Sequence, residues 1–377
     1  MRPSSQEPTN SDSPHQIRPE ELPPVKPPSA GFIVQLFLIP ALIVMAVIAV
    51  WALFGKLADS GSDWTQLVAE LGSGNEHRQW RAAQELAQML RNDQISPPTD
   101  RPPLSEIPEV ANSLVDLLKT SLATGNPSEE ELLQQKFLAR ALGGLNSDDT
   151  VLPVLAAAMD PAREISVRES ALMSVTSISG RHFDSATSYD PAAESRAEAV
   201  IPDRKPLPSP ALTHPEIQEQ IRIAAQDQEA LLRSLAAYAL GNISGPDSIE
   251  LLQVMLLDGD AGTRANVVMS LARNGNAAAI PELLNILSDC QQQFSADGQK
   301  FVDETARRRA ELEYEAQRPV LARNGLRAAL DLWRPASAQQ QQQLLQTVQS
   351  IAECDSLAAD VRLQAQELHS LLSKQLQ

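Results

Sequence analysis

RSLAAYALGNISGPDSIELLQVMLLDGDAGTRANVVMSLARNG, residues 233–275, decides the fold. Apolar side chains recur in it at three- and four-residue steps, the spacing of one helix face, and the breaks between runs are short and carry Gly, Pro or Asp. Residues 233–244 and 265–275 read as two equivalent helices, the second entered through an acidic turn, Asp258-Gly259-Asp260, that leads to Thr263-Arg264. Leu240 to Leu271 gives a period of about 31 residues, inside the range of helical solenoids. One helix pair cannot bury both of its faces, so the Leu and Ala stripes are covered only when neighbouring pairs stack. Ala236, Ala237, Ala239 and Gly241 are small enough to let such helices approach closely.

Further copies lie on either side. RAAQELAQML (residues 81–90), LARALGGLNS (138–147) and ESALMSVTSIS (169–179) repeat the small-residue stripe, and the last follows Asp160 and Val167-Arg168. In LPVLAAAMDP (152–161) and IPELLNILSD (280–289) a Pro follows an aliphatic residue; Pro in a first turn removes no internal hydrogen bond, so both are read as helix starts. An acidic inter-helix turn, then Val/Thr-Arg, then AxxALG resembles HEAT repeats, and in particular is similar to the short bacterial subtype found in phycobilin lyase-type proteins. The resemblance covers about residues 63–289 and, more loosely, the remainder. It implies an all-α fold, an α-solenoid of HEAT-like helix pairs. It also suggests that Arg168 and Arg264 reach the Asp-rich turn of a neighbouring unit, forming an ionic ladder along the stack.

Two stretches interrupt the period. Residues 95–108, with Pro97, Pro98, Pro102 and Pro103, and residues 181–215, with Pro191, Pro202, Pro206, Pro208 and Pro210, are predicted loops, the second projecting from a rim because it is too polar to bury. Residues 290–377 form a C-terminal helical cap: a charged helix near 296–318, then LARNGLRAALDLW, then two Gln-rich helical segments. The run Gln339 to Gln343 leads directly into LLQTVQSIAE and reads as a solvated helix start.

Ahead of the repeats, residues 1–30 are rich in Pro and Ser and nearly free of bulky apolar side chains, the composition of a disordered tail. Residues 32–54, FIVQLFLIPALIVMAVIAVWALF, carry no charge and predict a single transmembrane helix within 31–57, kinked at Pro40 and anchored near Trp51. The span is too long and too far from the start for a cleaved signal core, so it reads as a retained anchor. Arg18 and Lys26 before it, against Lys56 after it, place the N-terminus in the cytoplasm and the repeat body outside.

Composition then excludes several functions. The 377 residues carry a net charge of -17, a field that repels phosphate backbones, so no nucleic acid is expected as partner. The cluster Arg307 to Arg309 is interleaved with Asp303, Glu304, Glu311, Glu313 and Glu315, which makes it a charge-laced helix surface. Cys290 and Cys354 have no metal spacing, and sequence leaves open whether they pair. His15, His77, His182, His214 and His369 are scattered, so neither a metal nor a cofactor site is expected. Meeting of His182, Asp184 and Tyr189 inside a flexible loop would not preorganise a base. Gly72-Ser73-Gly74 lacks the Lys-Ser/Thr of a phosphate loop, and the acidic run at 258–262 lacks the Gly and Glu of a calcium loop. With no catalytic residue to name, the sequence points to a membrane-tethered scaffold, not an enzyme. Its acidic surface suits basic segments of a protein partner. The alternative, drawn from the resemblance, is an enzyme accessory or lyase-like protein handling a tetrapyrrole or other small ligand.

Overall fold

The computed structural model describes residues 64–71, 73, 75–187, 201–295 and 302–376, together with 38, 41, 42 and 44–50. Residues 1–63 and 64–377 form two separate compact units. In the first, the described residues are helical, with Leu42, Met45, Val47 and Ile48 exposed. Among the described residues no helix is long and apolar enough to cross a membrane, since a crossing takes about 20 residues. The rest of the predicted 32–54 span, like the 1–30 tail, lies outside the described residues.

Residues 64–377 are a run of helices, with no strand among the described residues. The N-terminal part holds α1 (Trp64–Leu71), α2 (Glu76–Ile95), α3 (Pro108–Leu122), α4 (Glu129–Leu142), α5 (Asp148–Ala158) and α6 (Ile165–Thr187). Then come α7 (Pro215–Ala224), α8 (Ala230–Ile243), α9 (Pro246–Met255), α10 (Ala261–Arg273) and α11 (Ile280–Asp289). The chain closes with α12 (Glu304–Asp331), α13 (Ala338–Glu353) and α14 (Ala359–Ser373). Even-numbered helices pack each on the next from α2 to α14, making one layer. Odd-numbered helices make the other, with α1 on α3, α3 on α5, α5 on α7 and α11 on α13. The core is the seam between the layers, filled by fully buried Leu86, Leu114, Leu142, Leu155, Leu172, Val267, Leu283 and Leu326.

Local chemistry sets the helix ends. Asn75, Asp260 and Asp303 accept a hydrogen bond from the backbone N–H three residues on, and Ser128 with Glu131 and Ser337 with Gln340 close reciprocal capping boxes. Pro108, Pro215, Pro246 and Pro281 stand in first turns, where the missing N–H costs nothing. Pro153 does not: α5 begins at Asp148, so the helix start read at Pro153 is corrected to a mid-helix position. Pro319 likewise lies inside α12, which runs unbroken where two segments are predicted. Tertiary contacts outweigh the local penalty there, because Arg318, only 4% exposed, donates to the Gln292 carbonyl (3.0 Å) and to that of Ser356, while Ala322, Leu326 and Ala329 are buried just beyond.

Neighbouring even helices run parallel and in register. Thr263 Oγ1 donates to Ala230 O (3.2 Å), Asn266 Nδ2 to Ser234 O (3.2 Å), Ser270 Oγ to Ala237 O (2.9 Å) and Asn274 Nδ2 to Gly241 O (2.9 Å), so α10 tracks α8 turn by turn. Gly241 makes this approach possible: a Cβ there would lie 2.4 Å from Ser270 Cβ. Gly143 and Ser174 repeat the device between α4 and α6, where Ser174 Oγ donates to Ala139 O (2.7 Å).

Neither interruption is a free loop where it is described. In the first, Arg101 clamps Asp93 with two bonds (2.7 and 2.8 Å), and the Leu104 N–H donates to the same carboxylate (2.8 Å) as Leu104 enters the core. In the second, α6 continues to Thr187, and residues 188–200 lie outside the described residues. Residues 201–214 do not project. They form a strap: Ala211 N–H donates to Ile243 O (2.8 Å), Leu207 N–H to Ser244 Oγ (2.9 Å) and Arg204 Nε to Asp331 Oδ1 (2.8 Å), with Ile201 and Leu212 buried. Polar composition hides this because the fastening uses backbone groups and one ion pair.

Candidate functional site

An ionic ladder runs through the turns between the units. Arg168 of α6 pairs with Asp227, ahead of α8. Arg233 of α8 reaches forward to both oxygens of Asp258 (2.7 and 2.9 Å) and back to the Asp227 carbonyl (2.9 Å). Arg264 of α10 bonds the Asp258 carbonyl (2.8 Å) and Glu282 (2.6 Å) in the first turn of α11. Arg168 thus behaves as the resemblance implied; Arg264 reaches the next unit too, but through Glu282 inside a helix and not through an Asp-rich turn, and Arg233 is a further rung. The 258–260 turn serves the ladder and caps α10, with Thr263 N–H on Asp260 (2.7 Å).

The ladder lowers two of its carboxylates, Asp258 and Asp227. The Arg233 guanidinium holds the Asp258 carboxyl below its usual range against the opposing effect of burial. For Asp227 burial pushes upward, and the Glu229 N–H with Arg168 more than reverses it. Groups whose folded pKa is lowered stabilise fully above their unfolded value, about 3.9 for Asp, and lose that contribution as pH falls through the folded value. The urea midpoint is therefore expected to hold from pH 7 to about 5 and to fall below about 4, with a shallower acid limb in Asp258→Asn. An identical pH profile for the variant would remove the ladder from the explanation.

Because the even helices are parallel, their C-terminal ends share one edge, and two depressions open on that layer. The first, about 250 Å³, lies between α2, α4 and α6 and is lined by Arg91, Gln94, Phe137, Arg140, Met173 and Ser177. The second, about 260 Å³, is framed by α6, α8, α10, α12 and the strap, with Asp184, Arg204, Tyr238, Asn266, Arg273 and Arg327 on its walls. Arg273 is held between two rings, its guanidinium carbon 5.7 Å from the Phe183 centroid and 5.3 Å from that of Tyr238. It donates to Asn242 Oδ1 and to Tyr238 Oη (3.3 Å). Arg204 is pinned by Asp331, whose residue exposure is 7%.

The residues weighed for chemistry go elsewhere. His182 is on α6, with Nε2 2.5 Å from Asp148; Asp184 faces the second depression, and Tyr189 lies outside the described residues. His214 caps α7 (3.5 Å to Ile217 N), His77 is on α2, His369 is on α14, and His15 lies outside the described residues. Ser73 is described but Gly72 and Gly74 are not. Arg307 and Arg308 pair along their own helix with Glu304 (3.5 Å) and Glu311 (2.8 Å). Cys290 and Cys354 are free thiols ending α11 and α13, and burial pushes the Cys290 thiol up to about 11, which leaves it inert. Among the described residues no group of three His, Cys, Asp or Glu could hold a metal ion. The Phe183, Tyr238 and Arg273 sandwich was missed because its members are spread over three helices. The only trace in sequence is an Arg near the end of successive small-residue helices.

Residues 217–295 match the family model described as HEAT repeats, which is the stretch from α7 to the end of α11. No curated protein sequence matches the chain. Among solved structures, the complex of CpcE and CpcF of phycocyanin lyase from Nostoc sp. is 16% identical over 82% of this chain and 94% of that one, with a TM-score of 0.37. YibA of Escherichia coli is 16% identical over 85% and 96%, TM-score 0.38. Human deoxyhypusine hydroxylase in complex with glycerol is 17% identical over 85% and 99%, TM-score 0.27. Residues 217–295 thus carry HEAT-like repeats, and the two-layer stacking of helices continues on either side of that stretch.

Proposed function

We propose that this protein is a membrane-tethered HEAT-repeat scaffold that holds a protein partner on its even-helix layer. The observation that carries the reading is that layer itself, a parallel, register-locked surface with two depressions, anchored to a ladder that fixes the spacing of its units. The uncharged 32–54 segment supports the tether, and the charge bias around it supports an N-terminus in the cytoplasm with the body outside. A photo-crosslinking side chain at Ser177, exposed in the first depression, is expected to capture a protein in intact cells. The same group at Glu250, exposed on α9 in the other layer, is expected to capture none. Equal adducts at both positions would sink the reading. Deleting residues 32–54 is expected to move the chain from the carbonate-washed membrane fraction to the soluble one.

A second reading, a lyase-like or accessory protein handling a tetrapyrrole or other small ligand, is supported by Tyr238 and Asp184 on the walls of one depression. Titrating the protein with a bilin would favour it through an absorbance shift that Tyr238→Phe removes.

A further inference from the structure

The lining of the two depressions on the even layer holds more arginine than carboxylate, against the balance of the chain: Arg91 and Arg140 with no acid in the first, Arg204, Arg273 and Arg327 with Asp184 and Asp331 in the second. We propose that this layer binds an extended acidic segment of the partner protein, with one carboxylate group meeting Arg91 and Arg140 and another, further along the segment, meeting Arg273. The proposal rests on the scaffold reading above and gives its partner a chemistry.

Asp and Glu outnumber Lys and Arg by 48 to 31, so an arginine in this protein has carboxylates in excess to choose from. Arg81, Arg101, Arg168, Arg233, Arg264 and Arg323 each take one. Arg91, Arg140 and Arg273 form no ion pair among the described residues, and all three line the two depressions. A helix C-terminus favours a basic side chain for its dipole alone. That does not account for Arg273, which is clamped between two aromatic rings and bonded only to a neutral amide oxygen and a phenol. Those bonds use two of the five N–H donors of the guanidinium and leave its charge unneutralised. A planar fork held still beforehand, with its charge unspent, is the receptor geometry for a carboxylate.

The two depressions also set a ruler. From α4 to α10 there are three steps between neighbouring even helices, and at about 8–10 Å per step the separation is about 24–30 Å. Extended chain advances about 3.3 Å per residue, so the two acidic groups should be about eight residues apart. Each depression, about 250 and 260 Å³, has room for one Glu side chain. Two weak contacts joined by a linker of matching length bind far more tightly than either alone.

The probe is a fluorescein-labelled peptide with a Glu-Glu pair at each end and six Gly/Ser residues between, which sets the pair centres eight residues apart, titrated by anisotropy against the full-length protein in detergent at low salt. Expected are saturable binding that weakens with salt, at least tenfold weaker binding of a peptide carrying only one pair, and at least a tenfold loss in Arg273→Gln. Asn324→Glu puts a like charge on an exposed position of the second depression and should give a similar loss without touching the sandwich. Arg308→Gln, exposed on α12 outside both depressions, should stay within twofold of wild type. Thermal unfolding of each variant separates lost binding from lost fold. No binding of the two-pair peptide to the wild type, or equal losses in the Arg273 and Arg308 variants, overturns the proposal. If the Ser177 adduct persists unchanged in Arg273→Gln, the acidic-segment idea fails while the scaffold stands; if there is no adduct either, both fall.

Discussion

Arg168→Ala is expected to destabilise the repeat body by about 3–5 kcal/mol, the cost of removing one member of a buried ion pair and leaving the other behind. The Arg168 and Asp227 side chains are only 8% and 13% exposed, so neither water nor salt replaces the lost partner well. Arg168 Nε also donates to the Met159 carbonyl (3.4 Å), and the residue is only 6% exposed. In a repeat array stability is a sum of unit and interface terms, so the loss falls on the α6–α8 interface. Urea unfolding followed by far-UV dichroism should therefore split into two transitions in place of one. The exposed Arg308→Ala should change stability by less than about 0.5 kcal/mol. A double replacement, Arg168→Met with Asp227→Leu, should recover most of the loss, since a buried pair exchanged whole for apolar groups is often near neutral. A wild-type urea midpoint in Arg168→Ala would show that the rung does not hold the units together.

Gly275→Ala is expected to cost about 2–5 kcal/mol through two separate effects. The residue has φ +64, a conformation that penalises any Cβ by about 1–2 kcal/mol. Its Cβ would also lie 2.0 Å from the Arg204 carbonyl oxygen, a backbone atom that no rotamer change can move aside. The strap must lift, breaking the bonds from Leu207 to Ser244 and from Arg204 to Asp331. Limited trypsin digestion should then cut after Arg204 at least tenfold faster than in wild type. Gly125→Ala, where nothing lies within 4 Å of the new Cβ, is the control and should change neither rate nor stability. Unchanged cleavage in Gly275→Ala would mean that the strap does not depend on this contact.

Most of the architecture was legible because repetition makes its own signal. The Leu and Ala stripes, the acidic turn and the Arg after it recur, and each recurrence sharpens the reading of the others. Arg233 escaped notice because it precedes its helix stripe without the Val/Thr-Arg signature of Arg168 and Arg264. Pro153 and Pro319 depart from the expectation for the opposite reason: the rule for proline is local, and burial of Leu152 and Val154 around the first and of Arg318 and Ala322 near the second overrides it. The strap looked like solvent-exposed loop because its composition is polar, although its fastening lies in partners more than thirty residues away in sequence. The same distance hid the arginine depressions. Phe183, Tyr238 and Arg273 form no motif until α6, α8 and α10 lie side by side. The apolar 32–54 stretch is the clearest single signal in the sequence, and it lies largely outside the described residues.

The strap alters how the array should assemble. Rungs such as Arg233 to Asp258 join residues 25 apart, whereas Arg204 and Asp331 are 127 apart. A chain held only by rungs could zip up from either end, one unit templating the next. Here a segment that precedes α7 reaches past α8 and α10 to α12, so its closure has to wait until the later helices are in place. Contacts between such distant parts of a chain form late and slowly. Once closed, the strap ties α8, α10 and α12 into one block that opens together or not at all, giving the middle of the array a cooperativity that simple stacking does not provide.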